Sequence, residues 1–405
     1  MPSDYPARHG GGRALLYSHD TFGLGHLRRS RTIASALVEG LEDASALIVT
    51  GSPIAGRFDF PPRVDHVRLP GVVKHADGSY TASNLTLDID AMAALRGAVI
   101  EATAEEFDPQ VLIVDKEPWG LRQELAGTLA KLRSRGTKIV LGVRDVLDDE
   151  ATLKPEWERK DAISAVERFY DEIWVYGVQE ICRPLDGLGL SARMAARTVY
   201  TGYLRRELPD WPAEAEGEMP AEPYLLVTTG GGGDGEALID WVIRAYEHDP
   251  TLRPAAHIVY GPFLSASARA DFDARVAALG DRVSAIGFTP RLERLLASAA
   301  GVVAMGGYNT FCEILSADRR AIIAPRTKPR REQLIRAAAA EKMGLLRMLT
   351  PERDGLEATA MARAIRALAD QPRPSEAAQC DLLGGLDAIV ERAADLMTPY
   401  AAAGE

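Results

Sequence analysis

Cysteine is scarce: there are three in 405 residues, Cys182, Cys312 and Cys380, far apart in the chain. That spacing offers neither a disulfide framework nor metal-ligand pairs, so a reducing cytoplasm is the expected compartment and no metal is expected. Positive charge is also in short supply, with 47 Lys and Arg against 58 Asp and Glu and a formal net charge of −11. An acidic chain argues against broad nucleic-acid binding and against strong adsorption to anionic lipid, while a small apolar patch leaves peripheral membrane contact open. Long apolar runs are missing as well. No stretch approaches the ~20 residues of a membrane span, and residues 1–12 have no signal-peptide core and read as a disordered lead-in.

What the chain does have is alternation. Short apolar runs predict strands over Ala14–Ser18, Ala46–Thr50, His66–Leu69, Val111–Val114, Lys138–Val143, Glu172–Val175 and Thr198–Thr201. Ala- and Leu-rich helical stretches, such as Leu27–Leu41, Ile89–Glu106 and Gly120–Ser134, lie between several of them. Residues 205–223, with four prolines, six acids and no apolar period, read as a linker. The alternation then restarts, with strands expected over Tyr224–Thr228, Ala256–Tyr260, Val283–Ile286, Gly301–Ala304 and Ala321–Ala324. The expected class is α/β: two Rossmann-like doubly wound domains, residues 13–204 and 224–405, facing a cleft. In such sheets ligands bind outside the carboxyl ends of the strands. The closing helical stretches, Leu356–Asp370 and Ala377–Met397, carry no chemical motif, and the last is expected to pack back on the first domain.

The chemistry concentrates in turns that follow strands. The first strand runs into Ser18-His19-Asp20-Thr21-Phe22-Gly23-Leu24-Gly25-His26-Leu27-Arg28-Arg29. Gly23 and Gly25 let backbone N–H groups and a helix N-terminus face an anionic or polar ligand. His26 sets an imidazole at the mouth of that turn, able to act as a base near neutral pH; capping or phosphate contact is its plainer alternative. Asp20 and Asp115 are further candidates for the base. Glu117, two residues past Asp115, and His75, in the loop Gly71–Tyr80, are candidates for the acceptor side, and a plain turn residue is the competing reading for each.

Three turns of the second half point to a donor. Gly230-Gly231-Gly232-Gly233 follows a strand, and four glycines are costly in chain entropy unless a ligand such as a diphosphate approaches the backbone. Gly306-Gly307-Tyr308-Asn309-Thr310 opens a helix on which Glu313 can accept both hydroxyls of a ribose. Arg326-Thr327-Lys328-Pro329-Arg330-Arg331-Glu332-Gln333 brings four cations to an acidic protein, and Gln333 can hydrogen-bond sugar hydroxyls. Flexible turns, a helix-dipole acid and a solvated basic loop are the respective bland alternatives.

Taken in order, these turns resemble nucleotide-sugar glycosyltransferases of the GT-B fold, especially the bacterial family that adds N-acetylglucosamine to the lipid-linked peptidoglycan precursor. Gly23-Leu24-Gly25-His26-Leu27-Arg28-Arg29 is similar to the first turn of the sugar-nucleotide hydrolase of pseudaminic acid biosynthesis. The chain as a whole resembles a bacterial group of predicted glycosyltransferases, over about residues 13 to 345. The resemblance implies that Glu313 binds the nucleotide ribose, that Gly231 to Gly233 face the diphosphate, and that Phe288-Thr289 hold a pyrimidine. It implies that Gln333 touches the donor sugar; the neighbouring position, glutamine in the peptidoglycan enzyme, is Glu332 here. In the hydrolase the matching histidine activates water, which makes His26 the leading base.

The expected function is transfer of a sugar from a nucleotide diphosphate sugar, UDP-linked by preference, to a hydroxyl acceptor, with inversion and without a metal. No cofactor is expected; the acceptor is a small molecule, a lipid-linked molecule or a glycan. A nucleotide-sugar hydrolase or 2-epimerase and a non-catalytic nucleotide-sugar binding module are the alternatives.

Overall fold

The computed structural model describes residues 11–19, 25–75, 79–207, 220, 223–230, 234–261, 263–289 and 292–398. Chain order begins with strands β1 Arg13–Ser18, β2 Ser45–Thr50, β3 Val64–Arg68, β4 Val72–Lys74, β5 Tyr80–Ala82, β6 Val111–Asp115, β7 Lys138–Arg144, β8 Glu172–Tyr176 and β9 Thr198–Tyr200. The second half supplies β10 Tyr224–Thr228, β11 Ala255–Val259, β12 Val283–Ile286, β13 Gly301–Ala304, β14 Ala321–Ile323 and β15 Arg347–Met348. The first sheet has the order β3-β2-β1-β6-β7-β8-β9 and the second β12-β11-β10-β13-β14-β15; every pairing within them is parallel. Strands buried on both faces read as continuous apolar runs, which is why β6, β8 and β10 were visible in the sequence.

This order fixes where ligands go. Each sheet reverses direction once, between β1 and β6 and between β10 and β13, and the crevice of a doubly wound sheet opens at that reversal. Gly25 on the helix after β1, Asp115 at the end of β6, Gly230 after β10 and Gly306-Gly307 after β13 therefore lie at the four strand ends that flank the two crevices.

Some elements depart from the pattern. The loop expected over Gly71–Tyr80 contains an antiparallel hairpin, β4 with β5, whose three-residue strands are too short to show alternation. The helix expected over Gly120–Ser134 breaks: Leu121–Gln123 is a 3₁₀ turn with Arg122 at φ 49°, and regular helix runs only over Ala126–Ser134. Gly142 in β7 is required by packing, since a Cβ there would lie 2.0 Å from the Tyr176 hydroxyl. The final helix, Gly385–Met397, packs on the helix Gly25–Gly40, and its Arg392 pairs with Glu172 of β8. Among the described residues no helix is long and apolar enough to cross a membrane.

The two sheets share one buried apolar cluster, in which Leu16, Trp174 and Tyr203 join Phe311, Val302 and Ile323. Tyr203 and Phe311 meet edge to face with ring centroids 5.1 Å apart. Beside them a buried ion pair crosses between the halves: Arg336 grips both oxygens of Asp145 at 2.6 and 2.5 Å. Tyr203 donates to the same carboxylate at 2.8 Å, and Arg336 donates to the Gly306 carbonyl at 3.0 Å. Removing one partner of a buried pair leaves an uncompensated charge and costs about 3–5 kcal/mol. Asp145→Ala is therefore expected to lower stability by about that amount in urea unfolding; a loss under about 1 kcal/mol, the range of an exposed pair, would contradict this account.

Candidate active site

His26 opens the helix that follows β1, and Asp115 ends β6, so the sheet reversal brings them together. His26 Nδ1 lies 2.5 Å from Asp115 Oδ2. Arg29, one turn along the same helix, holds Asp115 through Nη2 at 2.7 and 2.8 Å and through Nε at 3.0 Å. Burial opposes ionisation of Asp115, but Arg29 and His26 outweigh it and hold the carboxyl well below the usual carboxylate range. Burial pushes His26 down, and Asp115 only partly offsets that, so the imidazole is neutral. A neutral ring whose Nδ1–H donates to Asp115 has Nε2 free to accept a proton. Asp115 is thus a positioning group: its oxygens are committed to Arg29 and His26, which corrects its reading as an alternative base. Asp20 and Gly23 lie outside the described residues.

His19, not singled out by the sequence, stands edge to face with His26 at 6.0 Å between centroids. Burial drives its pKa down to about 3, so it is a second neutral imidazole. Its Nδ1 is 3.5 Å from the hydroxyl of Tyr17, which donates to Glu124 at 2.6 Å. Lys116 takes φ 71° just past Asp115, a left-handed turn that marks a constrained strand end. Glu117 is bound by Lys160 at 2.8 Å and Lys116 at 3.5 Å; burial opposes ionisation, but these lysines keep the carboxylate charged. Glu117 is therefore saturated by cations of its own half. His75 bonds within its own hairpin, to Thr81 at 2.9 Å, and the structure does not bring it to His26.

The donor turns converge. A Cβ on Gly230 would approach Thr310 at 3.8 Å, one on Gly307 the Gln333 amide at 4.0 Å, and one on Gly25 the Asn309 amide at 3.5 Å. Gly230, Gly307, Asn309, Thr310 and Gln333 thus share one wall of the cleft, and Gly25 reaches it from the other. Gly306 takes φ 79° with no room for a Cβ beside Ile323. The helix Tyr308–Ser316 starts at Gly307 without a side-chain cap, leaving its first N–H groups for a ligand. Asn309 is held by Arg206 at 2.8 Å. Phe288, 59% exposed, presents its ring at the end of β12, next to Thr289. Gly231, Gly232 and Gly233 lie outside the described residues.

The structure qualifies one expectation and corrects another. Glu313 is buried and already engaged across the cleft by Arg28 at 2.8 Å; burial, against the pull of Arg28, raises its pKa. A ribose reaching Glu313 must share or displace that guanidinium. The three arginines of the third turn are already paired with carboxylates. Arg330 pairs with Asp148 at 2.9 Å and Glu156 at 2.7 Å, Arg331 with Asp149 at 3.4 Å, and Arg326 with Asp234 at 3.0 Å and Glu332 at 2.6 Å. Arg330 and Arg331 therefore clasp the first half. Gln333 Oε1 accepts from the Arg326 amide at 2.9 Å, and Glu332 keeps Oε2 buried without a partner. Among the described residues no three His, Cys, Asp or Glu side chains are grouped to hold a metal ion.

No family model matches this chain, and no curated protein matches its sequence. Solved structures do match it end to end. The calicheamicin glycosyltransferase CalG4 aligns with TM-score 0.60 at 16% identity, over 96% of this chain and 99% of that one. UGT2 of Phytolacca americana, solved with UDP-2-fluoroglucose and pterostilbene, aligns with TM-score 0.62 at 14% identity over 96% and 100%. UGT71G1 of Medicago truncatula, solved with UDP-glucose, gives TM-score 0.62 at 12% identity over 96% and 98%. With its two parallel sheets and this end-to-end similarity, the chain has the GT-B fold of nucleotide-sugar glycosyltransferases.

Proposed function

We propose that the protein is an inverting, metal-independent glycosyltransferase that moves a sugar from a UDP-sugar to a hydroxyl acceptor. The observation that carries the reading is the neutral His26, fixed by Asp115 and Arg29 at one sheet reversal, next to Gly25, where a Cβ would lie 3.5 Å from Asn309 of the other half. In this reading residues 13–204 form the acceptor domain and residues 224–405 the donor domain. The similar structures solved with UDP-glucose and with UDP-2-fluoroglucose support the choice of donor.

The chemistry follows from the geometry. His26 Nε2 takes the proton of the acceptor hydroxyl as its oxygen attacks the anomeric carbon, and the bond to the diphosphate breaks on the opposite face. Asp115 stays ionised and stabilises the imidazolium that forms. Its oxygens are occupied, so it is not a nucleophile for a two-step, retaining route; a single displacement inverts the carbon. The uncapped N-terminus of Tyr308–Ser316 stabilises charge developing on the leaving diphosphate. Glu313 takes the ribose, and Phe288 offers a face to the base.

Two measurements test this reading. Calorimetric titration is expected to show micromolar UDP binding that weakens at least about tenfold in Glu313→Ala, the scale of a lost charge-assisted hydrogen bond; equal binding by both proteins removes Glu313 from the site. NMR titration of His26 is expected to give a midpoint below the ordinary imidazole value of about 6.5. The sign follows from burial, which disfavours the cation. Asp115→Asn removes the charge that favours the cation, so its midpoint should fall further. A wild-type midpoint at or above 6.5, or a rise in Asp115→Asn, would count against the dyad.

A further inference from the structure

Arg206 lies at the start of the proline-rich, acidic segment that reads as a linker, yet it is buried, and its contacts join the two halves. Its backbone amide donates to the Ser316 hydroxyl at 2.8 Å, at the C-terminal end of the helix Tyr308–Ser316. Its side chain reaches the first turn of that same helix, where Nη2 donates to Asn309 Oδ1 at 2.8 Å. Nη1 donates to the hydroxyl of Thr32, on the helix Gly25–Gly40 that also carries His26 and Arg29. One guanidinium is thus shared between the helix of the candidate base and the helix that opens at the donor wall.

The bond to Asn309 decides which way that amide faces. A guanidinium only donates, so the end of the amide turned towards it must be the oxygen, and the NH2 must point elsewhere. It points to Gly25: a Cβ built there would lie 3.5 Å from Asn309 Nδ2. Gly25 brings no side chain of its own to cover that nitrogen, and Nδ2 has no hydrogen-bond partner among the described residues. Its two N–H groups sit beside the N-terminus of Tyr308–Ser316, which has no side-chain cap. Donors gathered at a helix start suit an anion, and the anionic part of the proposed donor is its diphosphate. We infer that Arg206 is a positioning residue for donor binding, locking the Asn309 amide with both N–H groups towards the diphosphate without touching the substrate itself. This inference rests on the nucleotide-sugar reading proposed above. Without Arg206 the amide is free to turn, and an oxygen facing the phosphate repels it.

Uridine and UDP, each titrated into the wild type, Asn309→Asp, Arg206→Met and Arg206→Lys, separate the outcomes. Uridine has the base and ribose without the diphosphate, so the preference for UDP over uridine reads the phosphate contact alone. Asn309→Asp keeps an acceptor for Arg206 and removes both N–H donors. Its preference for UDP is expected to fall at least about tenfold, the scale of a lost charge-assisted hydrogen bond. Arg206→Met leaves the amide intact and unaimed, and should lower the preference about three- to tenfold, the cost of ordering one side chain on binding. Arg206→Lys, which returns a donor to Oδ1, should recover most of that loss, and uridine affinity should stay near the wild-type value in all three. A role for Arg206 as a mere brace between the halves would move uridine and UDP together. An unchanged preference for UDP in Asn309→Asp or in Arg206→Met would therefore overturn the inference. Failure of the wild type to bind UDP at all would instead defeat the donor reading itself.

Discussion

The buried pair between Asp145 and Arg336 is the constraint from which the cleft takes its shape. It couples the end of β7 to the helix after the cationic turn, and it is sealed: the side chains are 0% and 1% exposed. A charge pair this deep is tolerable because each nitrogen of Arg336 and each oxygen of Asp145 has a partner, the Tyr203 hydroxyl and the Gly306 carbonyl included. The Gly306 bond matters for function, because it ties the turn that opens the Glu313 helix to the end of β7. Arg330 and Arg331 add pairs to Asp148 and Asp149 just outside the seal. The two crevices therefore face each other through specific charges, not through apolar contact alone.

Inside that frame, charge is distributed so that two imidazoles remain neutral among carboxylates. Asp115 and Glu117 sit at the end of β6 and carry enough local cation to stay ionised without protonating their histidine neighbours. His26 then keeps Nε2 without a partner among the described residues while its Nδ1 is occupied. His19 shares the burial but points its Nδ1 toward Tyr17. His26, which is partly exposed, is therefore the better placed of the two for the proton-accepting role we propose.

Much of this could be read from the amino acids, and for identifiable reasons. Parallel strands buried on both faces leave apolar runs, so the α/β alternation and nearly every strand of the two sheets were legible. The helix expected from Ile89 starts there, capped by the Asp88 carboxylate, which accepts from the Ala91 amide at 2.7 Å. Glycines after β1, β10 and β13 marked the strand ends because backbone approach needs them. Side-chain pairing across 89 or 191 residues leaves no local trace, so neither the His26–Asp115 bond nor the Asp145–Arg336 pair was visible. The cationic turn misled for the same reason: Arg330 and Arg331 look free in a linear chain, while their carboxylates come from the helix region near Asp148. The β4–β5 hairpin escaped because three residues are too few to show a period.

The most direct measurement is donor turnover by wild type and His26→Ala, followed as UDP released from UDP-sugars, with UDP binding recorded on the same samples. The account predicts that His26→Ala binds UDP within about twofold of wild type and loses turnover by roughly 10² or more, the usual contribution of a positioned base. Turnover by His26→Ala at the wild-type rate would contradict it, and so would a wild type that binds UDP-sugars tightly and never releases UDP.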